Sequence, residues 1–166
     1  MATEVKPIPE GYHTITPSLI VSDAAKAIEF YKNGLGAEVL DVAKTPDGSK
    51  VVHSVLKVGN SLVFVNDEFP EMGARSPQSL GGSPVSLYLY VEDADLWFNR
   101  AVAAGATPTM PIADMFWGDR FGTVTDPYGH NWGFSTHIKD LSPEEVERAS
   151  SEFFSQMSNE AAHKAG

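Results

Sequence analysis

Hydrophobic and polar positions in the first part of the chain follow two periods in succession. Residues 14–21 alternate as a strand does, and Asp23 then stands where the N-cap of a helix belongs. Apolar side chains follow it at helical spacing, at Ala24, Ala27, Ile28, Tyr31 and Leu35. Three strand-like runs separated by turn sequences come next, at 38–43, 50–58 and 62–66. The pattern predicts the element order β-α-β-β-β for a first module, residues 14–66.

The same pattern returns in residues 85–137, and the two copies can be compared position by position. Leu19, Val21, Asp23 and Ala24 recur as Leu89, Val91, Asp93 and Ala94. Near the end of each copy, Gly59, Leu62 and Phe64 match Gly129, Trp132 and Phe134. An internal repeat of this length indicates two copies of one supersecondary unit. We therefore predict a second β-α-β-β-β module, in which Trp132 and Phe134 pack beneath the helix.

Three segments lie outside the two predicted modules. Residues 1–13 form an N-terminal extension that lacks the apolar run of a signal peptide. Residues 67–84 are rich in Gly, Pro and Ser and are predicted to link the modules, with a lid over the site as the alternative. In residues 138–166 a capping box at 142–145 predicts a helix with an apolar stripe reaching Met157, and the chain from Ser158 is expected to fray. The stripe must cover either this domain or a second subunit.

Composition narrows the classes of partner. The chain is 42% hydrophobic and 20% charged, and its formal net charge is -10. Nucleic acid and anionic membrane surfaces are disfavoured as partners, because binding phosphates requires clustered Lys and Arg, and the 12 here are scattered. No stretch approaches the length of roughly 20 apolar residues that spans a bilayer. Without Cys there are no disulfides or thiolate ligands, so the cytoplasm is the expected compartment.

Each module opens its helix with V-x-D, and the second module closes on DPYGHNWGF. Two modules with these motifs resemble the vicinal oxygen chelate superfamily of glyoxalases, bleomycin-resistance proteins and extradiol dioxygenases. Four segments are similar to the PhnB-like branch of that superfamily: ITPSLIVSDAAKAIEFYKNGLGAE, EFPEMGARSPQSLGG, FWGDRFG and THIKDLSPEE. The resemblance implies an α+β fold with a curved eight-stranded mixed sheet around a cavity, followed by the C-terminal helix, and it implies a homodimer. It does not imply one reaction.

Metal-dependent members of that superfamily bind their ion through four positions, which the resemblance places at Thr16, Val63, Ser86 and Gly133. None of these is His, Glu or Asp. Divalent metals require several imidazole or carboxylate ligands. We therefore predict a protein without a metal or another cofactor, which puts metal-dependent lyase and dioxygenase activity in doubt together.

Several residues are candidates for ligand binding. Strand parity directs Tyr88 and Tyr90 into the cavity if Leu87 and Leu89 face the helix, although Tyr88 is equally expected as filler of the concave sheet. In the loop before the last two strands, Trp117 is expected in the pocket wall, with packing at a module or dimer interface as the alternative.

Two charged residues and one histidine complete the set of candidates. Asp119 and Arg120 follow the aromatic loop, and Arg120 would anchor an anionic or carbonyl-bearing ligand if it points inward. Otherwise the two residues pair with each other or with a neighbouring turn. His53 lies on a strand predicted to line the cavity and is the best candidate for acid–base catalysis, with a structural role as the alternative. His137, near the cavity rim, is its plausible partner.

Two functional hypotheses follow. The first is a metal-free binding protein that holds a small, partly aromatic or hydrophobic molecule between the modules. The second is an enzyme of the glyoxalase superfamily, of lyase, isomerase or dioxygenase type, with a metal or a His53-based acid–base site away from the usual positions. Whether the protein catalyses a reaction, and on which substrate, the sequence leaves open.

Overall fold

The computed structural model describes residues 5–164, with side chains up to residue 159. The first module contains β1 (Ser18–Val21), α1 (Ala24–Leu35), β2 (Glu38–Lys44), β3 (Val51–Val58) and β4 (Ser61–Asp67). The linker holds a 3-10 turn (Pro70–Met72) and the short helix α2 (Pro77–Leu80). The second module contains β5 (Ser86–Tyr90), α3 (Ala94–Ala104), β6 (Thr107–Asp114), β7 (Asp119–Thr125) and β8 (Asn131–His137), and α4 (Pro143–Lys164) follows. Residues 1–4 of the predicted N-terminal extension and 165–166 of the predicted tail lie outside the described residues.

Both modules use the same helix signals. The carboxylate of Asp23 accepts a hydrogen bond from the backbone N–H of Lys26, and that of Asp93 accepts one from Leu96. These bonds satisfy N–H groups that the first turn of a helix leaves without a partner. The predicted N-caps are therefore confirmed, and they favour a structural role for both aspartates.

The eight strands form two four-stranded sheets, one in each module. The strand orders are β1-β4-β3-β2 and β5-β8-β7-β6. In each sheet the first strand runs parallel to the last strand of its module, and the other pairs are antiparallel. The α+β class and the two tandem modules are thus confirmed.

The register of the repeat differs by one residue from the sequence comparison at the last strand. Ser18 on β1 pairs with Phe64, whereas the equivalent Tyr88 on β5 pairs with Gly133. Phe64 therefore corresponds to Gly133, and the match of Phe64 with Phe134 was wrong. The difference arises because the first module has more residues before its last strand: α1 has 12 residues and α3 has 11, and the β2–β3 connection is longer than the β6–β7 connection. The longer β7–β8 turn offsets part of this difference.

Contacts between α1 and the β7–β8 turn join the modules. The hydroxyl of Tyr31 donates to Oδ2 of Asp126 over 2.7 Å, and Trp132 Nε1 donates to the same oxygen over 2.9 Å. Trp132 and Phe134 are buried in the hydrophobic core, as predicted. The turn in DPYGHNWGF therefore fixes one module against the other.

The linker crosses the same seam. Gln78, on α2, accepts a hydrogen bond from Ser22 of the first module and donates one to the carbonyl of Pro127 in the second. Gly129 leaves room for Pro77, since a Cβ at Gly129 would lie 2.8 Å from the proline ring. The linker thus carries the chain between the modules and also ties them together.

The C-terminal helix begins with the predicted capping box. Glu145 N–H donates to Ser142 Oγ, and Ser142 N–H donates to the Glu145 carboxylate. The helix α4 continues past Ser158, from which the chain is predicted to fray, and ends at Lys164. No Pro or Gly interrupts that stretch, which contains good helix formers. Along the apolar stripe, Phe153 contacts the Phe116 ring, while Phe154 and Met157 are exposed.

Candidate functional site

A cleft of about 800 Å³ lies between the modules. It falls in the size range of pockets for small organic molecules. The chain before β1 and the β3–β4 hairpin form one side, and β5 and two tryptophans of the second module form the other. The lining residues are His13, 15–17, 58–63, 87–92, Trp97 and Trp132. Among the described residues, Glu92 is the one acidic residue that lines the cleft, and no Lys or Arg does.

Tyr88 and Tyr90 form one wall of the cleft, which we call the tyrosine wall. Leu87 precedes Tyr88, Leu89 lies between the two tyrosines, and both leucines pack against the core. The two tyrosines therefore project from the other face of β5. Their exposed fractions are 45% and 67%. The alternation of faces follows strand parity, and the cleft is lined by residues from both faces of this edge strand.

A buried carboxylate holds the tyrosine wall in place. Asp119, at the start of β7, is 2% exposed. Its Oδ2 accepts hydrogen bonds from Tyr90 Oη at 2.9 Å, Ser135 Oγ at 3.0 Å, Trp117 Nε1 at 3.2 Å and Tyr88 Oη at 3.3 Å. Its Oδ1 faces His137 Nδ1 at 2.8 Å. Buried charge needs this degree of hydrogen bonding to be stable.

The loop that carries Trp117 is a tight turn between β6 and β7. Met115 N–H donates to the carbonyl of Asp119, and Gly118 has a φ of 95°. A Cβ at Gly118 would collide with the carbonyl oxygen of Lys139, so only glycine fits this close approach. The turn aims the indole N–H at Asp119. Trp117 is not among the described residues that line the cleft, and it contacts the tyrosine wall through Asp119.

Hydrogen bonding sets the protonation of this cluster. Burial opposes the charge on Asp119, but hydrogen bonds from His137, Tyr90 and other donors outweigh it and lower the pKa of the carboxyl. The hydrogen bond to Asp119, with partial burial, raises the pKa of Tyr90 to about 12. Contacts with Asp140 and Asp119 raise the pKa of His137. Near neutral pH, Asp119 is therefore ionised, Tyr90 is a neutral phenol, and His137 is shifted towards imidazolium.

Arg120 lies on the other side of its strand from Asp119. Adjacent residues of a strand point to opposite faces, and the structure places the Arg120 guanidinium against Asp95 on α3 and Asp114 on β6. The nitrogen–oxygen distances are 2.5 and 2.8 Å. The structure does not bring Arg120 to the cleft, and its partners are not the neighbouring Asp119 expected for an Asp119–Arg120 pair.

The two histidine candidates have different surroundings. The ring of His53 packs edge-on against Phe64, with centroids 4.7 Å apart, and His53 is not among the described residues that line the cleft. His137 instead joins the Asp119 cluster, which sequence reasoning missed. The hairpin register carried the signal, since counting outward from the β7–β8 turn pairs Asp119 with His137.

The four positions to which the resemblance assigned a metal do not fit one here. Thr16 and Ser86 offer neutral hydroxyls, Gly133 has no side chain, and Val63 is buried in the apolar core. The register of β4 places Phe64, also apolar, at the position equivalent to Gly133. Divalent ions require nitrogen, thiolate or carboxylate ligands. Within the residues that the structure describes, no group of three or more His, Cys, Asp or Glu side chains could hold an ion.

No helix in the described part of the chain is long and apolar enough to cross a membrane.

The fold and cleft define a class of protein, the α+β proteins with two tandem βαβββ modules. The family model of the Glyoxalase/Bleomycin resistance protein/Dioxygenase superfamily matches residues 12–134, and the chain belongs to this superfamily. The resemblance stated from sequence is confirmed, and the solved structures that the fold matches include a PhnB protein.

Three relatives place the chain more closely. The uncharacterized protein Rv0887c of Mycobacterium tuberculosis is 40% identical over 154 residues, covering 91% of this chain and 86% of its own length. The crystal structure of TioX from Micromonospora sp. ML1 has a TM-score of 0.60 at 27% identity, over 76% of this chain and 100% of TioX. The PhnB protein from Bacillus cereus has a TM-score of 0.57 at 20% identity, over 75% and 99% of the two chains, and shows the fold alone.

Proposed function

We propose that the protein binds a small organic molecule in the cleft, against the tyrosine wall. The carrying observation is that Tyr88 and Tyr90 line a ligand-sized cleft while the buried carboxylate of Asp119 fixes both hydroxyls. Binding sites of this kind combine apolar and aromatic walls with a few oriented polar groups. Because the phenols are held before the ligand arrives, little side-chain entropy is lost on binding.

In this proposal Trp117 and Asp119 hold the tyrosine wall in position and are not among the described residues that line the cleft. Trp117 donates to Asp119 and contacts Phe121, whose ring stacks on Tyr88 at a centroid distance of 4.8 Å. The three aromatic rings and the carboxylate therefore support one another. Changes in the loop should alter ligand binding by moving Tyr88 and Tyr90.

The test is a screen of a fragment library by thermal shift, followed by calorimetry of the molecules that bind. Tyr90→Leu should weaken binding at least about fivefold, because an aromatic contact contributes about 1 kcal/mol beyond burial. Phe69→Leu is the matched control, since this aromatic lies in the linker and is not among the described residues lining the cleft. Equal affinities for both variants and the wild type would place the ligand elsewhere, and a screen without binders would reject the proposal.

A second candidate function is acid–base catalysis, favoured by the pairing of His137 with Asp119. A buried carboxylate at Nδ1 orients an imidazole for proton transfer at Nε2, and the Asp140 partner of that nitrogen is fully exposed. This arrangement supports His137 rather than His53 as the base. The test is protein-dependent hydrogen–deuterium exchange next to the carbonyl group in a panel of small carbonyl compounds in D₂O. Exchange that survives in His137→Asn would exclude this role.

We further propose that the protein acts in the cytoplasm as a homodimer, with α4 as part of the contact. Phe154 and Met157 support this, because they expose an apolar surface next to Phe153. Light scattering of the full chain and of a chain ending at Leu141 tests it. The full chain should have the mass of two subunits and the shortened chain the mass of one. A full chain of monomer mass would contradict the proposal.

A further inference from the structure

We propose that the cleft selects organic cations, above all ligands carrying a substituted ammonium group. This inference rests on the proposed function and adds the chemical class of the ligand. Three independent features carry it: the charges around the cleft, the orientation of the two phenols, and the free aromatic surface of the tyrosine wall.

Among the described residues, one carboxylate lines the cleft and no Lys or Arg does, and His13 is the lining residue that can carry a positive charge. That carboxylate belongs to Glu92, and the carboxylate of Asp119 lies directly behind the tyrosine wall. Arg120, next to Asp119 in sequence, is held away by Asp95 and Asp114. His137 is the group at Asp119 that can carry a positive charge, and it offsets part of the carboxylate's field. An anionic ligand would therefore meet repulsion, and a cation would not.

The phenols can offer a ligand only acceptor atoms. Each hydroxyl has one proton. Tyr90 donates its proton to Asp119 at 2.9 Å, and the proton of Tyr88 lies between Ser135 Oγ at 2.9 Å and Asp119 at 3.3 Å, so both protons are used within the protein. The lone pairs on the two oxygens remain available, so the wall suits a ligand that donates hydrogen bonds or carries a positive charge. Donation to a carboxylate also makes the rings richer in electrons, which strengthens their attraction for a cation.

Two aromatic rings elsewhere in the protein are covered by cationic side chains, which the rings of the tyrosine wall are not within the described residues. The guanidinium of Arg100 lies 4.6 Å from the Trp97 ring, and the ammonium of Lys50 lies 4.8 Å from the Phe69 ring. Within the described residues, no cationic side chain covers either tyrosine of the wall. A bound ammonium group would supply there the contact that Arg100 and Lys50 make internally.

The test compares choline with its uncharged carbon isostere, 3,3-dimethylbutan-1-ol. The two molecules have the same shape and differ in the charge on one atom. Titrations followed by NMR chemical shifts of the wild-type protein should show that choline binds at least about tenfold more tightly. Tyr90→Leu should lose most of the choline affinity, and Tyr90→Phe should keep more of it because the ring remains. Phe69→Leu, in the linker, should bind as the wild type does.

The charge contribution is tested separately with Glu92→Gln, which removes an exposed carboxylate that lines the cleft. This variant should reduce the preference for choline and leave the affinity for 3,3-dimethylbutan-1-ol unchanged. Equal binding of the two isosteres by the wild type, or choline failing to bind while neutral fragments from the screen do bind, would overturn the inference and leave the proposed function standing. Failure of every probe and fragment would reject both.

Discussion

The hydroxyl of Tyr31, on α1, donates a 2.7 Å hydrogen bond to Oδ2 of Asp126, in the turn between β7 and β8. This bond joins the first module to the second in the core. Asp126 also receives the Trp132 indole N–H and the backbone N–H groups of Tyr128 and His130. Because the cleft has walls from both modules, the bond contributes to keeping those walls at a fixed separation.

Tyr31→Phe should lower the free energy of unfolding by about 1–2 kcal/mol, because it removes a buried hydrogen bond to a charged group while Asp126 keeps its other donors. Urea denaturation measures the change. Tyr128→Phe is the matched control, since the Tyr128 hydroxyl makes no hydrogen bond within the described residues. A loss below about 0.5 kcal/mol for Tyr31→Phe would show that the bond does not hold the modules together.

Asp119→Asn should destabilise the protein by about 2–3 kcal/mol, because an amide nitrogen would face hydrogen-bond donors that now converge on the carboxylate. Asp114→Asn is the comparison, since Asp114 forms an exposed ion pair with Arg120 and should contribute about 0–1 kcal/mol. Thermal unfolding of both variants at neutral pH checks the difference. Similar losses would mean that the Asp119 cluster is no more than a surface pairing.

Stability should depend on pH through His137. The folded protein raises the pKa of His137 above its ordinary value of 6.5, so the stabilisation is fully present below that value. It is lost as the pH rises through the folded pKa. The difference in Tm between the wild type and His137→Asn should therefore be largest near pH 5 to 6 and decrease towards about pH 9. The exposed His13, changed to Asn, serves as control, and a constant difference for His137→Asn would contradict the pairing.

Gly133→Ala should destabilise the second sheet, since an added Cβ would lie 2.7 Å from the Phe121 ring. Overpacking of this kind costs about 1–3 kcal/mol. Phe121→Leu in the same chain should recover part of the loss by making room. Urea unfolding of the two single variants and the double variant tests this, and strictly additive effects would show that the two positions do not interact.

The architecture could be predicted because it depends on local signals that occur twice. Asp23 and Asp93 each cap a helix because each precedes an apolar helical face. The alternation of Leu and Tyr along β5 predicted which residues pack against the core and which project from the other face. Burial of Trp132 followed from the same alternation. These inferences need only near neighbours in the chain.

The candidate site could be predicted only in part, because it depends on contacts between distant residues. Arg120 was expected near the ligand, but partners on α3 and β6 hold it elsewhere. Conversely, His137 is ordinary in sequence and becomes notable only once β8 is paired with β7, which places it opposite Asp119. The one-residue difference in register between β4 and β8 likewise came from small differences in helix and connection length, which a position-by-position comparison at one fixed offset does not detect.

Binding in the cleft would bring one ligand into contact with both modules. Nuclear Overhauser effects should be measured between the tightest fragment from the screen and assigned side chains of the protein. We expect simultaneous contacts to the Tyr90 ring on β5 and to Leu62 on the β3–β4 hairpin, because both line the cleft. Contacts confined to one module, or to Phe154 on α4, would contradict binding in the cleft.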